Sequence, residues 1–441
     1  MKLELLGDFA DAPEFIDEPT IAHGVTVGGD EVTAELTHGG GTGWSGFGTR
    51  RTYGVRRVIR GGLLQTLDPE VASVKFGLTR LHDWLQPAAF SASNTFAEFP
   101  YGAKHTLAYD EPRPLSLVTT AEFSLHAIFS AGLPFSDPRG RSNALYSFSS
   151  LRLDRTTPAP LSTFLPLVGR LRSLLSFATA TQNAVTYLEA FPTRDYSQPF
   201  RKQLDPKQLL DFFPVDEVED GELESLHPFQ MLFVAADDQK QSFRTTGAWL
   251  TRWPKLGPLI HLFLSATHSQ NGYQEQSFLA LVQALEGFHR VTQSNNIEPR
   301  AAFRARVQEI VSSIPSEYRD LVKRALQYAN EPSLRMRLNA LLGIGLATVP
   351  NFMDRPDSFL KRVVATRHYF SHFAPALRAK AASSLELFSM VRVLSTLFEI
   401  LVLLDLGWTV EGVRQVVERS RRNRRHRGVI RFVLEDRWGE A

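Results

Sequence analysis

Apolar residues recur along this chain with two periods, and the change falls near residue 250. In the first half the period is two. Leu115, Leu117, Thr119, Ala121, Phe123, Leu125 and Ala127 alternate with mostly polar neighbours, as do Val74, Phe76 and Leu78, and Ala144, Tyr146 and Phe148. Successive side chains of a strand point to opposite faces, so each run predicts a half-buried strand. Gly and Pro cluster between the runs, notably Gly39-Gly40-Gly41-Thr42-Gly43 and Pro134 to Gly140, and predict turns. An antiparallel, sandwich- or barrel-like domain follows. One helix interrupts it near 166–179, where Leu167, Val168, Leu171, Leu174, Leu175 and Ala178 take helical spacing behind Pro166. The acidic run Asp216 to Glu222 reads as an exposed loop.

From about Trp249 onward the period lengthens to that of a helix. Phe278, Val282, Leu285 and Phe288 form one stripe, and Phe303, Val307, Ile310 and Val311 a second. Leu338, Leu341 and Leu342 belong to a third; Leu360, Val363, Val364, Arg367 and Phe370 make a fourth. The longest helix is predicted over roughly Leu377 to Leu406, with Phe388, Val391, Phe398 and Val402 inward. The fold class is therefore α+β and multidomain: a β-rich domain over 1–250, an all-α bundle over 251–410, and a basic helix or tail over 411–441.

Composition narrows the chemistry. The 441 residues suffice for two or three domains. No cysteine is present, which removes disulfides, iron–sulfur clusters and cysteine-ligated zinc. The first eight residues include Glu4 and Asp8 and no long apolar run, unlike a secretory signal. Arg392, Glu399 and Asp405 interrupt the apolar stretch from Leu385 to Trp408, so it reads as a buried helix and the protein as cytoplasmic. Charge is divided unevenly. Residues 271–441 hold 25 Lys and Arg against 17 Asp and Glu, whereas the rest holds 24 against 30. Much of the surplus lies in Arg421, Arg422, Arg424, Arg425 and Arg427, with Arg431 beyond. These guanidinium groups suit either a solvated chain end or contact with nucleic-acid phosphates.

Several familiar chemistries are missing. There is no phosphate-cradling Gly-x-x-x-x-Gly-Lys-Ser/Thr loop and no His-Glu-x-x-His helix. His261 and His268 lack a third ligand, so no metal and no cofactor are expected. His82-Asp83 has no evident nucleophile beside it and reads as a turn, while Trp44, Trp84 and Tyr101 read as core residues.

Ala365-Thr366-Arg367-His368-Tyr369-Phe370-Ser371-His372-Phe373 stands apart. On a helical wheel Arg367 falls within the apolar stripe, where an unpaired charge costs several kcal/mol, so it should meet a carboxylate, a phosphate or a second subunit. His372, five residues on, lies about 140° around an ideal helix. The two groups converge only if the helix ends near Phe373, which Pro375 favours. An arginine beside a histidine meets the needs of metal-free RNA cleavage: imidazole moves protons near neutral pH, and guanidinium stabilises a phosphorane. An arginine–carboxylate pair with an incidental histidine is the plainer alternative.

Arg367-His368-Tyr369-Phe370-Ser371-His372 resembles the Arg-polar-x-x-x-His signature of HEPN ribonuclease domains. The segment Tyr273 to Arg290 resembles the opening helix of the ApeA-like branch, as does the stretch Trp253 to Ser269 before it. A strand-rich region in front is the arrangement of ApeA-type anti-phage defence proteins. That resemblance implies a metal-independent endoribonuclease, favouring tRNA, in the cytoplasm of an infected bacterium. It carries catalytic roles to Arg367, His372 and His368, and a supporting role to Glu286, which could pair with Arg367 or with Arg290. It further implies a homodimer or a higher even-numbered oligomer, and an N-terminal sensor answering a phage protein. Arg421, Arg422, Arg424, Arg425 and Arg427 would help hold RNA. The competing reading is a non-catalytic HEPN-like module that binds RNA or protein.

Overall fold

The structure is a computed structural model that describes residues 2–6, 20–45, 48–96, 103–132, 135–136, 143–193, 210–213, 225–268, 272–350, 353, 355–373 and 375–419. It divides into two compact units. The first comprises Met1–Thr179, Asn183–Pro228 and Val234–Gly247; the second comprises Ala180–Gln182, Phe229–Phe233 and Ala248–Ala441.

The first unit holds the strands. They are β1 (Lys2–Leu6), β2 (Thr20–Val25), β3 (Glu31–Ser45), β4 (Gly48–Arg60), β5 (Glu70–Leu78), β6 (Phe90–Phe96) and β7 (Ala103–Tyr109). After them come β8 (Leu115–Thr119), β9 (Phe123–Ala131), β10 (Phe135–Ser136), β11 (Asn143–Ala144), β12 (Ser147–Pro160), β13 (Val185–Pro192) and β14 (Leu210–Phe213). Helix α1 (Leu81–Leu85) follows β5, and α2 (Leu165–Thr179) follows β12. Ten strands join one antiparallel sheet in the order β2-β3-β4-β14-β13-β5-β12-β9-β8, with β1 also on β4; β6-β7 and β10-β11 form separate ribbons. The antiparallel, strand-rich domain that the alternation predicts is thus present, with ten of its described strands linked by hydrogen bonds into one sheet.

Register explains which face is buried. Ala127, Leu151, Phe76 and Leu188 are aligned across four neighbouring strands, as are Leu125, Leu153, Val74 and Ala190. All are buried. Helix α2 buries Val168, Leu171, Leu174, Leu175 and Ala178 at helical spacing, each large side chain contributing about 1.5–3 kcal/mol. Opposite registers carry polar pairs, such as Lys75 with Glu189 at 3.2 Å and Arg60 with Asp211. Two expectations change here. The run from Leu115 to Ala127 is a hairpin and not one strand, because the Thr120 hydroxyl accepts from the Phe123 and Glu122 amides and closes a turn. Gly39 to Gly43 is no turn either; it lies inside β3, whose register on β4 shifts between Gly39 and Thr42. Asp216 to Glu222, Pro134, Asp137 to Gly140 and the side chains of Trp44 and Tyr101 lie outside the described residues.

The helices are α3 (Gln239–His268), α4 (Gln274–Thr292), α5 (Arg300–Ser313), α6 (Arg319–Leu326), α7 (Leu334–Thr348), α8 (Pro356–His372), α9 (Ser384–Asp405) and α10 (Val410–Arg419). The unit boundary falls within α3. Helix α9 is the axis of the second unit: almost every residue from Glu386 to Leu403 is buried, as in a helix apolar on all sides. It is long and apolar enough to cross a membrane, and 83% of its most apolar window is buried inside the protein. Phe398 stacks on Phe263 at 4.9 Å and meets Phe288 edge-on. Phe278, Val282, Leu285 and Phe288 of α4 and Leu338, Leu341 and Leu342 of α7 are buried. The predicted longest helix is shorter than expected, since Pro375–Lys380 forms a separate 3-10 turn and α9 begins at Ser384. The stripe Phe303, Val307, Ile310 and Val311 forms α5, yet none of it is buried.

Candidate active site

Helix α8 carries the Arg-His-x-x-x-His stretch. Pro356 stands at its start, where a missing N–H costs nothing, and Asp357 faces the positive end of the helix dipole. Phe359, Leu360, Val363 and Thr366 are its buried residues, and Phe370 meets Phe278 of α4 edge-on at 6.4 Å. This face is rotated from the one the wheel predicts: Thr366 takes the place given to Arg367, and Val364 is half-buried. Thr366 can be buried because it is satisfied. Its hydroxyl donates to the Arg362 carbonyl at 2.7 Å and accepts from the Ala382 amide at 2.9 Å.

Arg367 is therefore half-buried at the margin of the stripe, not inside it. It has no hydrogen-bond or ion-pair partner among the described residues. His368 and His372 are exposed, four residues apart on one face, with ring centroids 6.2 Å apart. Helix α8 runs through His372 and stops there. Phe373 takes a left-handed conformation (φ 48°, ψ 34°), its amide bonding back to the Tyr369 carbonyl. A bulky residue in that region is strained, and such strain gathers at functional sites. Since His372 is itself helical, Arg367 and His372 of one chain diverge by about 140°. One chain thus presents two adjacent imidazoles and, around the helix from His372, a guanidinium that no described residue pairs.

The carboxylate partners lie elsewhere. Glu286 is engaged by Arg290 on its own helix at 3.2 Å, the second of the two pairings open to it. Arg290 also reaches Glu331 at 3.1 Å. The ion pair that does brace α8 joins Arg362 to Glu386 of α9 at 3.0 Å, and Arg362 also donates to the Lys380 carbonyl. Glu386 is 1% exposed. Burial alone would raise its pKa, but the Ser383 amide and the Arg362 guanidinium outweigh that and hold it below the usual carboxylate range. This brace was missed in the sequence although half of it is spelled there: Ser383-x-x-Glu386 is a capping box at the start of α9. Arg362 carries no comparable local signal.

A second arginine–histidine cluster lies in the same unit. Arg337 of α7 is 1% exposed and donates to His289 Nδ1 at 3.1 Å, to Asn295 Oδ1 at 2.6 Å and to Glu331 at 3.4 Å. Burial, then the charges of Arg337 and Arg290, lower the His289 pKa, so its ring is neutral and accepts the hydrogen bond from Arg337. No group of three or more His, Asp or Glu able to hold a metal occurs among the described residues.

Known families settle the affiliation. Residues 1–243 match the family described as ApeA N-terminal domain 1, and residues 279–411 match the one described as Apea-like HEPN. The chain belongs to the ApeA family. No curated protein and no solved structure matches it. The ApeA-like HEPN segment contains most of α4 and all of α5 to α9, so it includes α8 with Arg367, His368 and His372. Arg421, Arg422, Arg424, Arg425 and Arg427 lie outside that segment and outside the described residues.

Proposed function

We propose that this ApeA-family protein is an RNA endonuclease of bacterial anti-phage defence that cuts by attack of a ribose 2′-hydroxyl, with α8 as its catalytic element. One observation carries the reading: α8 exposes two neighbouring imidazoles and leaves a half-buried guanidinium without a protein partner among the described residues. Membership of the family, whose HEPN domain is usually a ribonuclease, supports it.

In this scheme one histidine, His372, takes the proton from the 2′-hydroxyl or returns one to the departing 5′-oxygen. The 2′-oxygen forms its bond to phosphorus as the bond to the 5′-oxygen breaks, leaving a 2′,3′-cyclic phosphate and a 5′-hydroxyl. His368, one turn away, is placed for the complementary proton transfer. Arg367 stabilises the added negative charge on the phosphorane. The 140° divergence of Arg367 and His372 favours a composite site in which α8 helices of two copies face each other, each supplying what the other lacks. A homodimer, or a larger even-numbered assembly, is the matching oligomer. The N-terminal unit then acts as the sensor of a phage protein, tRNA is the substrate, and the arginines at 421, 422, 424, 425 and 427 hold its phosphates in the cytoplasm.

The test is purified protein incubated with total tRNA in EDTA, wild type beside His372→Ala. Cleavage leaving 2′,3′-cyclic phosphate ends and absent from the variant is the expected result. Cleavage undiminished in the variant would move the chemistry off α8. RNA binding without cleavage, with the N-terminal unit present or removed, would favour the non-catalytic reading.

A further inference from the structure

The first unit contains a cavity that plays no part in the scheme above. It has a volume of about 450 Å³, within the range of roughly 300–1,000 Å³ usual for small-molecule sites. It opens where the sheet loses a strand. The register of β12 on β5 runs from Leu151–Phe76, but β12 begins at Ser147 and pairs β9 from there. Strand β5 ends at Leu78, and the chain turns away at Arg80 into α1, Arg80 being left-handed at φ 62°. The resulting notch is filled from one side by His82.

His82 and Asp83 form no turn; they lie on α1, and the imidazole bridges two serines 65 and 67 residues away. Ser149 Oγ lies 2.9 Å from His82 Nδ1 and Ser147 Oγ 3.2 Å from His82 Nε2. Burial lowers the His82 pKa against the opposing pull of Asp83, so the ring is neutral. A neutral imidazole donates through one nitrogen and accepts through the other. One serine hydroxyl therefore accepts a hydrogen bond from the ring N–H and keeps its own O–H to give; the other donates its O–H to the ring and keeps lone pairs. Ser147 and Ser149 together offer the cavity a donor beside an acceptor.

Two aromatic rings stand at the rim. Phe148 is 56% exposed. Tyr187 crosses over Gly77, where any added Cβ would lie 2.5 Å from its ring, so the glycine is what lets the ring sit there. The charge in the lining is balanced, because Arg80 is paired with Asp83 at 3.4 Å. Asp83 also accepts from Ser225 and the Leu226 amide, which ties a distant segment to the mouth of the notch.

We propose that this pocket binds a nucleoside, with the base against Phe148 and Tyr187 and its donor–acceptor edge on Ser147, Ser149 and His82. Flat heterocycles find favourable contact with aromatic faces, and the edge of a nucleobase presents the same donor–acceptor alternation as the serine pair. Balanced charge gives a phosphate no attraction, so the uncharged nucleoside is preferred over its nucleotide. This site is independent of the α8 chemistry.

Titration calorimetry on the full chain tests it with adenosine, guanosine, cytidine and uridine, each beside its 5′-monophosphate, and with glucose as a polyhydroxyl control. At least one nucleoside should bind at one site per chain, its monophosphate about tenfold more weakly, and glucose not at all. Phe148→Ala, an exposed position that leaves the fold intact, should weaken binding about tenfold. Ser147→Ala with Ser149→Ala, checked by melting temperature, should abolish it. Absence of binding by all four nucleosides at about 10 mM would overturn the proposal. So would a monophosphate or glucose binding as tightly as the nucleoside, or affinity unchanged in Phe148→Ala.

Discussion

Arg337 and Arg367 both stand near histidines in the helical unit, one in its core and one at its surface. Arg337 is fully enclosed and answered on each side by His289, Asn295 and Glu331. Glu331 is shared with Arg290, which in turn holds Glu286. Such a network pins the end of α4 to the start of α7, and it commits Arg337 to protein groups inside the core. Arg367 is half-buried with its donors unspent among the described residues, and His368 and His372 beside it are exposed. The same residue types are thus structural where the fold satisfies them and available for chemistry where it does not. What separates them is the supply of partners, not the spacing of arginine and histidine in the chain.

The comparison breaks first at activity. His372→Ala should reduce RNA cleavage about 10²–10⁴-fold, the usual worth of a general acid or base, while unfolding shifts by less than about 0.5 kcal/mol. Arg367→Ala should show the same split, with loss of about 10²–10³-fold. A large fall in melting temperature for either variant would put these residues in the structural class. Arg337→Met should behave in the opposite sense. Loss of the guanidinium leaves the buried His289 nitrogen without a donor, at about 1–3 kcal/mol, so denaturant unfolding should move, and any activity lost should follow the folded fraction.

The brace of α8 sharpens the contrast through pH. Glu386 is held below its ordinary pKa, so its contribution is present above the unfolded value near about 4.3 and is lost as pH falls through that value toward the folded one. Glu386→Gln should be less stable than wild type at neutral pH, and the gap should close as pH drops below about 4.3. A gap that stays constant down to strong acid would mean the Arg362–Glu386 pair does not hold α8. The smallest effect belongs to Glu286→Gln, which removes a partly exposed pair within one helix. It should cost about 0.3–0.5 kcal/mol and leave cleavage unchanged.

Much of this was legible in the chain. Helical stripes on α4 and α7 and the helix near 166–179 fall where the periodicity put them, since a face buried against one core writes its period directly into the sequence. Helix α5 shows the limit of that logic: its apolar stripe is present, and none of it is buried by the described residues. The hairpin at Thr120 was hidden because alternation continues unbroken through a turn that a side-chain hydroxyl organises. Arg367, His368 and His372 could be grouped from the sequence because they lie within one helical segment, which the structure forms as α8.

By itself, then, the sequence determined a strand-rich half, a helical half, and the short segment that could carry proton transfer, all of them local patterns. The tertiary structure decided which charges are spent. Whether an arginine meets a carboxylate, or a histidine finds two serines, depends on groups far apart in the chain: Arg362 and Glu386 are 24 residues apart, Arg337 and His289 are 48, and His82 and Ser149 are 67. Pairing across such distances is set by packing, and no periodicity records it.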